Sequence, residues 1–225
     1  ESVEQAKALV QYAKGKGVAQ DYKKALIYTS QSAEQGHSDA QYNLGLMYAH
    51  GQGVPQDNKL AVSWYKKSAE QGNSLAQYNL AIMYFNGHGV PQDKKLAVSW
   101  YTKAAEQGNS DAQNNLGWIY QYGEGVPQNN KLAVSWYIKA AKQENDIAQG
   151  NLGWMYQNGY GVTKNLKKAI EFYEKSANQG YAYAQNNLGW MYQNGYGITK
   201  NLIKAFEFYE KSANQGYADA QSNLG

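Results

Sequence analysis

Few residues of this chain have side chains that could perform acid–base chemistry or bind a metal ion. The three histidines, His37, His50 and His88, lie far apart and lack carboxylates at the spacing of metal ligands. The chain has no cysteine, which excludes disulfides and thiolate metal sites. Its Gly-x-Gly turns lack the Lys-Ser/Thr that completes a phosphate-binding loop. The sequence therefore predicts no catalytic residues, no metal and no cofactor.

The charged residues argue against a nucleic-acid partner. The net charge is +3, and all 21 basic residues are lysines, which are interleaved with acidic residues along the chain. Without arginine the chain lacks the planar fork that recognises phosphate and guanine. No apolar run approaches the ~18 residues of a membrane-spanning helix, so no transmembrane segment is expected. The chain starts at Glu1 and stops inside a motif at Gly225, which predicts a piece of a longer protein.

A repeat of 36 residues organises the chain. The sequence NLGWMYQNGYG occurs at 151–161 and again at 187–197, a separation of 187 − 151 = 36 residues. Related copies start at Asn43, Asn79 and Asn115. Such a period predicts one quasi-linear domain over 1–225. The predicted repeats are 1–36, 37–72, 73–108, 109–144, 145–180, 181–216 and a partial seventh at 217–225.

Each repeat contains two helix patterns, here named the A helix and the B helix. In the second repeat Ala40 and Leu44 begin the apolar stripe of the A helix, and Ala61 begins that of the B helix. We expect a capping box at the start of the A helix, with Ser38 as N-cap and Gln41 three residues later.

Further cap and turn residues follow from the same pattern. The residues expected to cap B helices are Asp21, Asp57 and Asp93. Gly45, in the middle of the A helix, predicts close approach of the two backbones. Glu144 takes a position that is glycine in the other repeats, where a left-handed backbone is expected.

A single helix pair cannot bury both of its apolar stripes, whereas stacked pairs can. The sequence therefore predicts an all-α fold, a right-handed α-solenoid of helix–turn–helix repeats. The B-helix aromatic series is expected to lie in the core; its members are Trp64, Trp100, Trp136, Phe172 and Phe208.

The motif A-x-x-N-L-G-x-M-Y-x-x-G-x-G-V, followed by A-x-x-W-Y-x-K-A-A-x-x-G, resembles the Sel-one-like repeat family, which is related to tetratricopeptide repeats. The resemblance extends from Gly17 to the end of the chain. It implies a superhelical scaffold that binds other proteins and has no chemistry of its own. Bacterial members are often exported or periplasmic, so this resemblance alone favours a periplasmic or secreted protein.

Residues that the A helices do not need for their core share one face, because they follow a 4, 3, 4 spacing. In solenoids of this kind that face lines the concave groove. An asparagine row runs along it, formed by Asn43, Asn79, Asn115, Asn151 and Asn187. A tryptophan row, Trp118, Trp154 and Trp190, runs beside it, together with Tyr122. Both rows have a structural alternative, since asparagine can hydrogen-bond neighbouring backbone and indoles can pack between helices.

The leading hypothesis is an interaction scaffold whose tryptophan row and asparagine row bind a protein or peptide. A binder of carbohydrate or envelope glycan would use the same aromatic residues. A third hypothesis is an immunity or inhibitor protein for one toxin or enzyme. End-to-end self-association is also expected, because the final repeat leaves the apolar face of Ile203 and Tyr209 without a following helix.

Overall fold

The computed structural model describes residues 22–224 and folds them into helices, with no strand in that range. In chain order the helices are α1 (Tyr22–Glu34), α2 (Ser38–His50), α3 (Asn58–Glu70), α4 (Ser74–Asn86), α5 (Lys94–Glu106), α6 (Ser110–Tyr122), α7 (Asn130–Ala141), α8 (Asp146–Asn158), α9 (Leu166–Asn178), α10 (Ala182–Asn194), α11 (Leu202–Ala213) and α12 (Ala218–Leu224). The even-numbered helices are A helices and the odd-numbered ones are B helices. The predicted all-α fold of helix–turn–helix repeats is confirmed.

The described residues divide into two compact units, the first ending at Ala112 and the second beginning at Gln113. In the first unit, each helix from α1 to α5 packs against the next one in the chain. In the second unit the same holds from α7 to α12, and α8 also contacts α10. Within each unit these helices therefore bury their apolar stripes against their neighbours in the sequence, as stacked repeats do. The single domain over 1–225 stays a prediction.

The B helices begin at the predicted caps, whereas the A helices do not. The Asp57 carboxylate accepts hydrogen bonds from the backbone N–H groups of Lys59 and Leu60, at 2.9 and 3.0 Å. The predicted capping box is wrong, because Ser38 is already the first helical residue. In the next repeat Asn73, not Ser74, caps the A helix. Asp93 caps α5 as predicted, and Asp21 lies outside the described residues.

The glutamine of the supposed capping box points into the protein instead. Gln41 is buried, and its Nε2 donates to the carbonyl oxygen of Ala33, 3.2 Å away in the preceding B helix. Its Oε1 accepts from Gln71 Nε2 at 2.7 Å. The same pair recurs as Gln107 to Gln77, Gln143 to Gln113, Gln179 to Gln149 and Gln215 to Gln185. These glutamine pairs link the A helix and B helix of one repeat.

The mid-helix glycines make room for tyrosine rings of the B helices. A Cβ on Gly45 would lie 2.6 Å from Tyr65 Cδ1, and one on Gly153 would lie 2.6 Å from Tyr173 Cδ1. The close approach predicted at Gly45 is therefore between helix backbone and an aromatic ring, not between two backbones. Glu144 has φ 61°, so the left-handed conformation predicted for its position is confirmed.

The B-helix aromatic series is less buried than predicted. Trp136 is buried, but Trp64, Trp100, Phe172 and Phe208 are only half-buried. A lysine one turn along the same helix covers each exposed ring. Lys67 Nζ, for example, lies 3.9 Å from the ring centroid of Trp64. This arrangement is a cation–π contact that also shields the apolar ring from water.

Candidate functional site

The A helices that the structure describes, from Ser38 to Leu224, carry no lysine, which separates their surface chemically from that of the B helices. Their charged residues are all acidic: Asp39, Asp111, Asp146 and Asp219. The B helices carry the lysines that cover their aromatic rings. A ligand approaching the A helices therefore meets a neutral to weakly acidic surface.

A cavity of about 500 Å³ opens on the A helices of the second unit. Its polar lining consists of side-chain amides from Asn114, Asn115, Gln121 and Asn151. Its apolar lining consists of Trp118, Tyr122, Ile147, Trp154, Tyr181 and Tyr183. This volume is in the range of small-molecule and side-chain binding pockets. No lining residue is charged at neutral pH, so the cavity favours an uncharged ligand.

The side-chain amides of the cavity differ in whether they already form hydrogen bonds to other side chains. Asn151 Nδ2 donates to Asn114 Oδ1 at 3.1 Å, which joins α8 to α6. Gln121 Oε1 accepts from the hydroxyl of buried Tyr137 at 2.7 Å. Asn115 is half-buried, and its amide has no side-chain hydrogen bond within residues 22–224. Asn115 can therefore offer a ligand two donors and one acceptor.

Two aromatic pairs hold the tryptophans of the cavity in place. The ring centroids of Trp118 and Tyr122 lie 5.2 Å apart. Trp154 stacks on Tyr160, with ring centroids 5.0 Å apart and an interplanar angle of 26°. Trp118 remains 40% exposed. An exposed indole held by a neighbouring ring is a rigid apolar surface that loses little entropy on binding.

Two tyrosines of the sixth repeat complete the cavity wall. Tyr181 lies over Gly150, where a Cβ would come within 3.0 Å of its ring. Tyr183 packs edge-on against Tyr173, with ring centroids 6.4 Å apart. Burial raises the pKa of Tyr183 to about 12, against hydrogen bonds to Asn187 and Tyr173 that lower it. Both hydroxyls thus stay protonated at neutral pH.

The cavity unites five of the residues that the sequence singled out: Asn115, Trp118, Tyr122, Asn151 and Trp154. Three others lie elsewhere. Trp190 is also 40% exposed, but it meets Tyr196 edge-on and does not line the cavity. Asn187 Nδ2 donates to the carbonyl oxygen of Tyr183 at 2.8 Å. Asn79, in the first unit, hydrogen-bonds the hydroxyls of Tyr42 and Tyr65.

Sequence reasoning missed Asn114, Gln121 and Tyr181 as cavity residues. Tyr181 had a usable signal, because the corresponding position holds Asn109 or Asn145 in the two preceding repeats. A bulky ring that replaces a cap asparagine on a binding face marks a local change of surface. Asn114 and Gln121 had no comparable signal, since amides are common throughout the A helices.

The described part of the chain offers no metal site and no membrane span. Within residues 22–224 no three His, Asp or Glu side chains are placed to hold a metal ion. The described helices have at most 13 residues, and none is long and apolar enough to cross a membrane. All three histidines are exposed.

Comparison with known proteins identifies the repeat. The family model described as "Sel1 repeat" matches residues 10–37, 38–73, 74–109, 110–145, 146–181 and 182–217. No curated protein matches the chain.

Solved structures share both the fold and part of the sequence. A protective antigen present in uropathogenic Escherichia coli strains is 39% identical over 99% of this chain, with a TM-score of 0.90. The chain spans about half, 48%, of that protein's length. A Sel1 repeat protein from Oxalobacter formigenes is 33% identical, with a TM-score of 0.91, over 98% of this chain and 86% of the other.

A more distant structure shows the fold alone. An immunity protein from Pseudomonas aeruginosa is 24% identical, with a TM-score of 0.56, over 97% of this chain and 83% of its own. The repeat model, by contrast, matches nearly the full length of the chain, and the two nearer structures share a third or more of its sequence. The chain belongs to the Sel1 repeat family.

Proposed function

We propose that this chain is a non-enzymatic scaffold that binds a peptide segment of a partner protein in the cavity of its second unit. Sel1 repeat proteins are generally protein-interaction scaffolds, and their fold is typically non-enzymatic. Trp118 and Trp154 are the proposed apolar anchors. Asn115 and Asn151 are the proposed contacts to peptide backbone.

One observation supports this proposal above the others. Two members of the tryptophan row and two of the asparagine row converge on a single uncharged cavity. Exposed tryptophan and tyrosine at the centre of a pocket are typical binding hot spots. Amides suit a peptide of any sequence, because they can both donate to a carbonyl and accept from an N–H group.

Selection from a random peptide library displayed on phage tests the proposal. We expect the wild-type chain to enrich peptides that bind with reduced affinity to a Trp118→Ala variant. The matched control is Trp190→Ala, which removes an equally exposed tryptophan at the same helix position outside the cavity. Circular dichroism checks that both variants are folded. Peptides that bind all three proteins equally would place the binding site elsewhere.

A neutral carbohydrate is the second candidate, because sugar rings also stack on indoles and hydrogen-bond to amides. Titration of the tryptophan fluorescence with soluble glycans distinguishes the two ligands. A change that depends on Trp118, in the absence of any enriched peptide, would favour the glycan. An immunity role would be a special case of the scaffold, in which the bound segment belongs to one toxin.

A further inference from the structure

We infer that the cavity selects a proline-rich segment in the polyproline II conformation, flanked by basic rather than acidic residues. The inference rests on the proposed function and names the class of peptide that the site takes. It follows from four features of the cavity: its rings, its free donor groups, the spacing of its helices and its charge.

The rings suit proline better than they suit flexible apolar side chains. Trp118 and Trp154 are each fixed by a neighbouring tyrosine ring, at 5.2 and 5.0 Å between centroids. Proline-rich segments dock in aromatic-lined grooves, and their conformation is largely formed before binding. Rigid rings on both sides of the interface reduce the entropy lost on association.

The hydrogen-bonding groups of the cavity suit a proline-rich peptide, whose backbone has carbonyl groups but few N–H groups. A polyproline II helix has no internal hydrogen bonds, so its carbonyl oxygens need donors. Asn115 Nδ2 donates to no other side chain within residues 22–224, so it can donate to a carbonyl oxygen of the bound segment.

Other modes of peptide recognition fit the cavity poorly. Addition of a strand needs a sheet edge, and residues 22–224 contain no strand. Capture of a carboxylate or phosphate needs cations, and no lysine lines the cavity or lies on the A helices between Ser38 and Leu224. A bound amphipathic helix needs a continuous apolar groove, whereas four of the ten lining residues are amides.

The usual spacing of packed helices agrees with the pitch of this conformation. Packed helices lie roughly 8–10 Å apart, and three residues of polyproline II advance about 9.3 Å. The hydrogen bond from Asn151 to Asn114 shows that α6 and α8 are in direct contact. Successive turns of the segment can thus meet Trp118 on α6 and Trp154 on α8.

Charge determines which residues flank the prolines. Asp146 is the first residue of α8, next to the cavity-lining Ile147, and its charge acts on the Tyr181 hydroxyl. A basic residue beside the prolines is attracted to this carboxylate, and an acidic residue is repelled. Because the site is partly exposed, this preference should weaken as salt is added.

Calorimetric titration of three synthetic peptides tests the inference. The first is a run of prolines flanked by lysines, the second has the same prolines flanked by aspartates, and the third is a lysine-flanked Gly-Ser chain of equal length. We expect the first to bind most tightly and the third not to bind. Trp118→Ala should weaken the first roughly 30-fold, the loss typical of a hot-spot residue. Asn115→Ala should weaken it roughly fivefold to tenfold.

Trp190→Ala is again the control and should leave the affinity unchanged. Binding of the lysine-flanked proline peptide at equal strength to wild type and Trp118→Ala would overturn the inference. So would absence of its binding to the wild-type chain. If the library still yields proline-free peptides that depend on Trp118, the inference fails and the proposed scaffold function stands. If no library peptide depends on Trp118, both fail.

Discussion

Glu144 has a left-handed backbone conformation, at a position that is glycine in the other repeats. Its φ of 61° costs a residue with a Cβ about 1–2 kcal/mol. Glycine has no such strain, but its greater conformational freedom stabilises the unfolded chain by about 0.4–1 kcal/mol. We therefore expect Glu144→Gly to stabilise the chain by roughly 0.5–1 kcal/mol, measured by urea unfolding.

Gly180 is the matched position of the next repeat, with φ 98° and open space where a Cβ would lie. Gly180→Ala should therefore destabilise the chain by strain alone, without any steric clash. If Glu144→Gly lowered the stability, or if Gly180→Ala left it unchanged, the left-handed backbone at this turn would not strain a residue that carries a Cβ.

Gln77 contributes to stability through two hydrogen bonds, of which the one to the Ala69 carbonyl is buried. Its Nε2 donates to the Ala69 carbonyl at 3.1 Å, and its Oε1 accepts from Gln107 at 2.7 Å. Because Gln77 is buried, Gln77→Ala leaves the Ala69 carbonyl without this donor and should cost about 1–3 kcal/mol. Gln107 is exposed, so Gln107→Ala should cost clearly less in the same urea unfolding experiment. Equal losses would contradict this role.

At the scale of helices, the glycines that face tyrosine rings set the distance between A and B helices. Gly153→Ala would place a methyl group 2.6 Å from Tyr173 Cδ1, and that ring is held by a 2.8 Å hydrogen bond to Gln157. Overpacking of this kind costs about 1–3 kcal/mol and should exceed the helix-propensity gain of about 1 kcal/mol. We expect net destabilisation in thermal unfolding.

Gly150→Ala is the control in the same helix. Its methyl group would lie 3.0 Å from Tyr181, a half-buried ring that can shift slightly. Its stability should stay close to that of the wild-type chain. A larger loss for Gly150→Ala than for Gly153→Ala would show that the tyrosine of the B helix does not limit helix approach.

The sequence predicts the helices well, because they follow from local spacing. Asp57 caps its helix as expected, since a cap acts within three residues. The prediction for Gln41 is wrong because a capping box and an inward-facing glutamine share the same local pattern, and only the packed neighbour distinguishes them. Asn79 likewise belongs to the asparagine row, yet its side chain is hydrogen-bonded to the hydroxyls of Tyr42 and Tyr65. Which row members reach the cavity depends on side chains from other repeats.

At the scale of the molecule, buried tyrosines make stability depend on alkaline pH. Burial raises the pKa of Tyr183 from 10.0 to about 12 and that of Tyr137 and Tyr173 further. Since the folded pKa lies above the unfolded one, the protonated fold is fully stable below pH 10.0 and loses stability as the pH rises toward 12. Urea midpoints should be constant from neutral pH to 10.0 and fall above it, and Tyr183→Phe should fall less steeply. A constant midpoint across that range would refute the linkage.

Self-association also belongs to the scale of the molecule and stays a prediction. Ile203 is 75% exposed and Phe206 55% exposed, whereas Tyr209, also expected to be uncovered, is buried. The expectation for Tyr209 is wrong because α12 packs against α11. Light scattering should show a mass that rises with concentration, and Ile203→Lys should reduce it by restoring the lysine found at this position in earlier repeats. A strictly monomeric wild-type chain would exclude it.

The recurrence of the same contacts between repeats has a consequence for inheritance. Residues 154–189 and 190–225 differ at only five positions. The hydrogen bonds that link successive repeats there, from Gln185 Nε2 to the Ala177 carbonyl and from Gln221 Nε2 to the Ala213 carbonyl, measure 3.2 and 3.4 Å. A gene with such copies can misalign during recombination and gain or lose one whole copy. The encoded chain would still form every inter-repeat contact, because each copy presents its neighbours with the same partners. The number of repeats can therefore change in one genetic step, and the encoded protein remains folded after that step.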